Sequence, residues 1–253
     1  MNGEFLLKIT GLKFSYDGRN PVLDGVNLCL RAGESVAVMG SSGSGKTTLL
    51  KIIAGLLHPI QGEIQVKAGK GGVGYIPQQV GLVKNLTALQ NVLLGALGRV
   101  GNPAILIGNF PADEVEKAYK LLQDLGINNL ADRKAAELSG GERQRVAVAR
   151  ALMQSPTLLL ADEFVADLDV VNAVDVMRLT VDVCRRNNVA LLMTMHDAFL
   201  VNKFADRVAV LKNGRIVAEM DGREIDMESL VTILRGSKQV EISAGRLAFF
   251  CWL

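Results

Sequence analysis

One stretch of the chain, residues 35–47, decides how the rest is interpreted. It reads Ser35-Val36-Ala37-Val38-Met39 and then Gly40-Ser41-Ser42-Gly43-Ser44-Gly45-Lys46-Thr47. The first part is a short apolar run typical of a buried strand, and the second matches the G-x-x-x-x-G-K-[ST] pattern of loops that bind phosphate groups. An apolar pattern with a helical period follows from Lys46 to Leu57. Strand, glycine-rich loop and helix in this order predict a phosphate-binding site at residues 40–47.

The glycines and polar side chains of this loop each suit a bound phosphate. Gly43 and Gly45 carry no Cβ, so backbone N–H groups can approach phosphate oxygens closely. The positive end of the following helix points at the same oxygens. Lys46 would supply a point charge to the β- and γ-phosphates, and Thr47 a hydroxyl to Mg²⁺. The alternative is a glycine- and serine-rich turn that arose by chance, and the flanking strand and helix argue against it.

A pair of carboxylates follows a second apolar run. The run is Thr157-Leu158-Leu159-Leu160-Ala161, as expected for a buried parallel strand, and Asp162 and Glu163 come directly after it. Side chains at the carboxyl ends of strands lie where open α/β sheets bind ligands. We predict that Asp162 holds Mg²⁺, directly or through water, and that Glu163 polarises an attacking water as a general base. A solvated acidic turn is the alternative.

The segment Leu138-Ser139-Gly140-Gly141-Glu142-Arg143-Gln144 combines a helix start with two glycines. Ser139 and Glu142 match the S-x-x-E capping box, and the helix is predicted to run to about Gln154. Glycine in the first helical turn costs stability, which is tolerated where something must lie against bare N–H groups. An anionic phosphate is the natural candidate, and an ordinary helix cap is the alternative.

Weaker patterns describe the remaining elements. Short apolar runs separated by Asp-Gly turns before residue 35 predict a small antiparallel sheet, and Asn213-Gly214 predicts a hairpin. Asp113 and Glu116 match a capping box, and Asp226 would cap a last helix through Leu234. The helix after Asp113 is predicted to bury one apolar stripe, formed by Val115, Ala118, Tyr119, Leu122 and Leu125.

The chain resembles the ABC-type ATPases, the nucleotide-binding subunits of ATP-binding cassette transporters. The resemblance rests on LSGGERQ at 138–144, on LLLADE at 158–163 and on the phosphate loop about 90 residues upstream of LSGGERQ. The resemblance covers about residues 4–235. It implies an α/β fold with a P-loop NTPase core, in which a mainly parallel sheet is flanked by helices. An N-terminal antiparallel β-subdomain and an inserted helical subdomain at about 81–155 complete one domain, 1–236, followed by a tail at 237–253.

Three further positions match the family's pattern. Tyr16 matches the aromatic that stacks on adenine, Gln78 the glutamine that reaches Mg²⁺, and His196 the histidine that contacts the γ-phosphate. Taken singly, they would be a core or hairpin tyrosine, a turn glutamine and a structural histidine. The resemblance assigns catalysis to Glu163, His196, Lys46 and Gln78, and Mg²⁺ to Thr47, Gln78 and Asp162. It assigns ATP binding to Tyr16, Gly40, Ser41, Ser42, Gly43, Ser44, Gly45, Lys46, Thr47 and Thr48, with Ser139, Gly140, Gly141 and Glu142 acting across a dimer.

The family also implies partners. They are a second ATPase subunit, most simply a second copy, integral membrane permease subunits and, for an importer, an extracytoplasmic substrate-binding protein. The chain would lie peripherally at the cytoplasmic face of the membrane. No run of about 18 apolar residues is present. With 28 basic and 26 acidic residues the net charge is +2, which argues against a nucleic-acid partner and against a soluble ATPase acting on DNA or ribosomes.

Residues 81–127 indicate a branch of the family. Leu86-Thr87-Ala88-Leu89-Gln90-Asn91-Val92-Leu93-Leu94-Gly95, followed by Leu97-Gly98-Arg99 and a spacer ending in Phe110-Pro111, resembles the ATPase subunit of phosphonate/phosphite-type importers. The small ATPases of lipoprotein-release and cell-division type exporters are the alternative. A remnant that binds ATP without hydrolysing it is disfavoured, because Lys46, Asp162, Glu163 and His196 are all present.

One segment departs from the family's pattern. After Glu163 the family usually continues Pro-Thr-Ser-Ala-Leu-Asp, whereas this chain has Phe164-Val165-Ala166-Asp167-Leu168-Asp169. Loss of the proline leaves the backbone less restrained, and Asp167 adds a charge near the expected dimer interface. We predict that hydrolysis is retained and that coupling between subunits is altered.

Overall fold

The structure is a computed structural model that describes residues 5–67, 69, 72–100, 105 and 108–222. The strands are β1 (Phe5–Phe14), β2 (Leu23–Arg31), β3 (Ser35–Met39), β4 (Gln61–Val66), β5 (Val73–Ile76), β6 (Leu158–Asp162), β7 (Ala190–Met195), β8 (Arg207–Lys212) and β9 (Arg215–Asp221). The α-helices are α1 (Lys46–Ile53), α2 (Ala88–Leu93), α3 (Ala112–Asp124), α4 (Gly140–Met153), α5 (Val170–Arg186) and α6 (Ala198–Phe204). The predicted helix 226–234 and the tail 237–253 lie outside the described residues.

The described residues fall into two compact units, the first formed by those of 5–67 and 190–222 and the second by those of 69–189. The first unit contains the predicted antiparallel sheet, with strand order β2-β1-β4. Two apolar runs at 5–9 and 12–14 belong to one strand, β1, whose pairing with β2 shifts register between Ile9 and Leu12. Gly11 lies within that shift with φ +59°, a conformation that glycine adopts without strain. The antiparallel prediction is therefore confirmed.

The first unit also contains a mixed sheet built on β3. Strands β7 and β8 lie on either side of β3 and run parallel to it, and β9 pairs antiparallel with β8. Every residue of β3 and β7 is buried, which explains why both are continuous apolar runs. The hairpin at Asn213-Gly214 is confirmed, with φ +49° and +73° at the two turn residues, as a two-residue turn with positive φ requires.

The second unit contains a parallel pair of strands and most of the helices. Strand β5 pairs parallel with β6, and helices α2, α3 and α5 contact α4. The backbone at Gly95 lies close to that of α4, because a Cβ on Gly95 would be 2.0 Å from the backbone oxygen of Arg150. In the described part of the chain, no helix is long and apolar enough to cross a membrane.

Two helix predictions need correction. The capping box at Asp113 and Glu116 is wrong, since α3 begins at Ala112 with Pro111 as its N-cap residue. Tyr119 was expected in the buried stripe but is 40% exposed, and Glu114 is buried instead. Glu114 reaches the interior because Arg99 pairs with its carboxylate, at 2.9 Å for Nη1 and 2.5 Å for Nη2.

The helix after the phosphate loop is also shorter than its apolar pattern suggests. Helix α1 ends at Ile53, and Leu56 is 61% exposed. Gly55, with φ +74°, follows the C-cap residue Ala54 and ends the helix. The apolar pattern continues beyond a break that glycine imposes on the backbone.

Candidate functional site

The loop at residues 40–47 is wrapped around the ammonium group of Lys46. Buried strand β3 ends at Met39 and α1 begins at Lys46. The Lys46 Nζ donates hydrogen bonds to the backbone oxygens of Gly40, at 3.1 Å, and Ser41, at 3.3 Å. The side chain is only 5% exposed. The hydrogen bonds to Gly40 and Ser41 thus fix the position of the Lys46 ammonium, the cation of the loop.

Three glycines of the loop are required for different reasons. A Cβ on Gly40 would lie 2.3 Å from the backbone oxygen of Leu211 and 2.6 Å from Ser44 Oγ, so no side chain has room there. Gly43 has open space around it but adopts φ +79°. Gly45 adopts φ +104°, and a Cβ there would lie 2.8 Å from Leu23 Cδ2. Packing against β2 therefore accounts for Gly45 as directly as approach to a phosphate does.

The loop has the properties that an anionic phosphate group needs. Among the described residues, no side chain caps the start of α1, where Gly45 is the N-cap residue. Ser41, Ser42 and Gly43 are exposed. The hydroxyl of Ser44 is buried and has no hydrogen-bond partner in the described part of the chain. A cation, an uncapped helix start and an orphaned hydroxyl together suit the phosphates of a nucleotide.

Tyr16 lies beside the same helix. Its hydroxyl is 3.2 Å from Thr48 Oγ1, and its ring stands perpendicular to that of Phe14 with 4.9 Å between centroids. The side chain is 64% exposed, so a face of the ring remains open for stacking. The next residue, Asp17, accepts hydrogen bonds from the backbone N–H groups of Asn20 and Arg19, which hold the pKa of its carboxyl well below the usual range.

His196 follows β7 at the end of the sheet where the phosphate loop begins. In the parallel pairing of β3 with β7, Met39 is opposite Met195. Gly40 and His196 are the next residues of these two strands, and His196 is exposed. The first unit thus brings Tyr16, the loop at 40–48 and His196 to neighbouring positions.

In the second unit, Gln78 meets Glu163. Strand β5 pairs parallel with β6 so that Ile76 is opposite Ala161, and two residues further on the Nε2 of Gln78 donates to Glu163 Oε2 at 3.4 Å. Asp162 is 1% exposed, and Glu163 adopts φ +45°. Non-glycine residues rarely hold this conformation, and such strain often occurs at functional positions.

Tyr75 is a neighbour of Asp162 that the sequence did not reveal. Its side chain hydrogen-bonds to the Asp162 carboxylate, and burial, together with that negative charge, raises the pKa of the phenol to about 12. The phenol therefore stays protonated and donates to Asp162. A single tyrosine in a four-residue strand carries no motif, so only the pairing of β5 with β6 identifies it.

The capping box at the start of α4 is confirmed. Ser139 Oγ accepts from the N–H of Glu142 at 3.3 Å, and Glu142 Oε2 accepts from the N–H of Ser139 at 2.7 Å. A Cβ on Gly141 would lie 3.1 Å from Asn172 Oδ1 on α5, whereas one on Gly140 would have only an ordinary contact. Packing of α5 thus favours glycine at 141, and exposed Gly140 leaves the start of α4 accessible.

The segment after Glu163 forms a turn with a buried aromatic. Phe164 is 3% exposed and Val165 is 5% exposed, while Asp167 is exposed. The N–H of Ala166 donates to the backbone oxygen of Glu163 at 3.0 Å. Asp169 caps α5 by accepting from the N–H of Asn172 at 3.0 Å, a bond that lowers the pKa of the Asp169 carboxyl. The buried Phe164 side chain thus stands where the family usually has proline.

The described side chains do not by themselves form a metal site. Among the described residues, no group of three or more His, Cys, Asp or Glu side chains could hold one. Mg²⁺ that accompanies a nucleotide needs fewer protein ligands, since phosphate oxygens and water complete its shell. Asp162, Thr47 and Gln78 are oxygen donors of the kind that Mg²⁺ prefers.

Comparison with known proteins agrees with these observations. The profile of the ABC transporter family matches residues 23–166. The chain is 36% identical over 252 residues to the phosphonates import ATP-binding protein PhnC of Bordetella parapertussis, covering 93% of this chain and 98% of the relative.

Solved structures give the same answer. An ATP-binding cassette of an ABC transporter in its ADP conformation superimposes with TM-score 0.79 and 28% identity, covering 96% of this chain and all of the other. A dimeric bacterial ABC transporter cassette superimposes with TM-score 0.74 and 29% identity, covering 87% of this chain and all of the other. These matches confirm the predicted P-loop NTPase fold with its antiparallel and helical additions. The chain belongs to the ABC transporter family and is one of its ATP-hydrolysing subunits.

Proposed function

We propose that this chain powers an importer of phosphonate- or phosphite-like oxyanions by binding and hydrolysing ATP. The observation that carries the proposal is the 36% identity to a phosphonates import subunit, which extends over 93% of this chain and 98% of the relative. Likeness of this extent includes residues 81–127, the part of the sequence that separates this branch from exporter ATPases. An exporter of the lipoprotein-release type is less well supported for the same reason.

Each residue of the candidate site has a proposed role. Lys46, held by two backbone oxygens, neutralises the β- and γ-phosphates, and residues 40–48 surround them with N–H and hydroxyl donors. Tyr16 stacks on the adenine, and His196 contacts the γ-phosphate. Glu163 takes the proton of the attacking water, and Gln78, in contact with it, orients that water.

Mg²⁺ is proposed as the second cofactor. When bound, it neutralises charge that develops on the phosphates during transfer. Thr47, Gln78 and Asp162 are the residues that would hold it. Tyr75 keeps the Asp162 carboxylate in a fixed orientation by donating to it.

The proposed working form is a dimer on permease subunits at the cytoplasmic face of the membrane. Ser139, Gly140, Gly141 and Glu142 of each copy would bind the ATP held by the other copy, with the exposed start of α4 as the binding surface. We expect a single ATPase domain at 1–236 with a helical subdomain at about 81–155. An extracytoplasmic binding protein would deliver the oxyanion.

The experiment that tests this function starts from Glu163→Gln. This substitution should retain ATP binding and slow hydrolysis at least a hundredfold, since it removes the general base. Tagged Glu163→Gln would be recovered from native membranes with ATP, and its partners identified by mass spectrometry. Lys46→Ala, which cannot hold the phosphates, is the matched control. ATP-dependent recovery of a permease supports the proposal, whereas ribosomes or nucleoprotein without a membrane chain would contradict it.

The transported class is tested with the recovered complex in proteoliposomes. Methylphosphonate or phosphite, supplied with the complex's own binding protein, should stimulate ATP hydrolysis, and sulfate should not. Stimulation by a lipoprotein or lipid substrate without any binding protein would favour the exporter alternative.

A further inference from the structure

Arg150 holds the backbone of the segment that carries Gln78. It lies near the end of α4, and its Nη2 and Nη1 donate to the backbone oxygens of Val80 and Gly81 at 2.7 Å and 2.8 Å. The planar guanidinium reaches two successive carbonyl groups at once, which a lysine ammonium cannot do with the same geometry. Helix α4 is thereby fastened to a loop about 70 residues earlier in the chain.

Few polar contacts hold the loop at 78–82, although Asn91 on α2 bonds both the N–H and the C=O of the next residue, Val83, at 2.9 Å and 3.1 Å. In the described chain, residues 78–82 make no backbone–backbone hydrogen bond with any other residue. Their described polar contacts are the pair of bonds from Arg150 and the 3.4 Å contact between Gln78 and Glu163. Within residues 78–82, the described polar contacts thus come from Arg150 of α4 and from the carboxylate assigned to catalysis.

Arg150 is placed there at an energetic cost. The guanidinium is partly buried, and burial lowers its pKa, although an arginine remains protonated. In the described part of the chain, no carboxylate lies within ion-pair distance of it. If this position were needed only for packing, an apolar side chain could fill it without the cost of burying a charge. The two bonds to backbone oxygens therefore indicate that Arg150 does more than pack.

Both ends of α4 are in close contact with neighbouring elements. At its start the Ser139 capping box is closed, and Gly141 packs against Asn172. Near the end of α4, the backbone of Arg150 packs so closely on Gly95 that a Cβ at position 95 would have no room. About 15 Å of continuous helix joins Gly140 to Arg150. A shift of the helix start is thus carried to the residue that holds the Gln78 loop.

We propose that Arg150 is a positioning residue, which sets Gln78 against Glu163 according to the position of α4. This inference rests on the proposed function, in which the start of α4 binds the ATP of the second copy. Arg150 would then make hydrolysis by Gln78 and Glu163 of one chain responsive to nucleotide bound at Ser139–Glu142 of that chain.

A double-mutant cycle between Arg150 and Gln78 tests the proposal. Arg150→Lys should fold, because it keeps the charge and the aliphatic part of the side chain. It cannot donate to the backbone oxygens of Val80 and Gly81 with the geometry of the guanidinium. We expect it to lower kcat about tenfold and to change KM for ATP less than about twofold. If Arg150 acts through Gln78, the double variant Gln78→Ala/Arg150→Lys should hydrolyse ATP within about twofold of Gln78→Ala alone.

The control is Arg178→Lys, an exposed arginine on α5 in the same unit, paired with Asp175 at 3.6 Å. It should leave kcat and KM unchanged. Losses of kcat that multiply in the double variant would overturn the proposal, since they would show that Arg150 acts independently of Gln78. An Arg150→Lys protein with wild-type kcat would overturn it as well.

Hydrogen exchange provides a second readout that a purely structural role would not move. In the Glu163→Gln background, ATP should slow amide exchange in residues 78–82, and adding Arg150→Lys should abolish that response. Persistence of the response, or its absence with Arg150 intact, contradicts the inference. If wild-type hydrolysis did not require Lys46, the proposed function itself would fail, so the two failures are distinguishable.

Discussion

At the scale of single residues, position 40 has no room for a side chain. A methyl group there would lie 2.3 Å from the backbone oxygen of Leu211, which cannot move aside as a side chain would. Gly40→Ala should destabilise the protein by about 3 kcal/mol, because β3 and β8 must separate to admit it. It should also abolish ATP binding. Chemical denaturation and a nucleotide-binding titration measure the two effects.

Gly43→Ala is the matched comparison for Gly40→Ala. Its Cβ would meet open space, but φ at position 43 is +79°. The expected cost is about 1–2 kcal/mol, from backbone strain alone. Equal losses of stability in the two variants would show that steric contact with Leu211 is not what requires glycine at 40.

Tyr75 gives the site a pH dependence in the alkaline range. The folded protein raises the pKa of the phenol from 10.0 to about 12, so the folded state holds this proton more tightly than the unfolded state. The resulting stabilisation is complete below pH 10 and is lost as the pH rises towards 12. Tyr75→Phe should remove this dependence, together with the tyrosine ionisation near pH 12 in an absorbance titration.

A stability profile of Tyr75→Phe that still fell like that of the wild type between pH 10 and 12 would contradict this assignment. At neutral pH the variant should be destabilised by about 1–2 kcal/mol, because buried Asp162 loses a hydrogen-bond donor. Tyr75→Phe should also hydrolyse ATP more slowly than the wild type. The size of this loss should depend more on the Mg²⁺ concentration than on the ATP concentration, as expected for a residue that orients a metal ligand.

At the scale of secondary-structure elements, α3 is held in place by a buried ion pair. Glu114 on α3 is 6% exposed, and Arg99 donates both to its carboxylate and to the backbone oxygen of Met153 at the end of α4. Glu114→Ala leaves the guanidinium without its carboxylate. We expect a loss of about 3 kcal/mol in the free energy of unfolding, measured by urea denaturation.

Glu116→Ala is the control for this prediction, since Glu116 is exposed on the same helix. It should change stability by less than about 0.5 kcal/mol. Similar losses in both variants would mean that helix propensity or charge, and not the ion pair with Arg99, governs the stability of α3.

At the scale of the whole molecule, the departure at residues 164–167 is expected to affect how two copies pair in the proposed dimer. Phe164 is buried, so restoring proline there would create a cavity as well as restrain the backbone. Asp167 is exposed and gives the cleaner test. Asp167→Ala should leave stability unchanged. If Asp167 lies near the interface of the proposed dimer, as expected from the sequence, removing its negative charge should strengthen ATP-dependent dimerisation of Glu163→Gln severalfold.

Sedimentation or light scattering with and without ATP measures this dimerisation. Asp175→Ala, a change of the same charge at a half-exposed position of α5, is the control. Dimerisation and cooperativity that did not differ between Asp167→Ala and the parent protein would show that this departure does not alter subunit coupling.

Much of the molecule was readable from the sequence because its signals are local. The phosphate loop, the Ser139 capping box and the Asn213-Gly214 turn each depend on residues within about seven positions of one another, where backbone conformation and hydrogen bonding are set by neighbours. The order of these motifs then identified the family and with it the fold. The capping-box pattern at Asp113 misled because the nearby Pro111 is the N-cap residue of α3. The buried face of α3 was mispredicted because a distant residue, Arg99, pairs with Glu114 in the interior.

The tertiary structure alone decided which distant groups meet. Tyr75 reaches Asp162 across paired strands, Arg99 draws Glu114 into the interior, and Arg150 grips the carbonyls of Val80 and Gly81. None of these contacts leaves a periodic or spaced pattern, because each joins residues that chain topology brings together. The sequence by itself determined the chemistry and the class of fold, whereas packing determined which side chains support that chemistry, since burial and charge pairing depend on the whole fold.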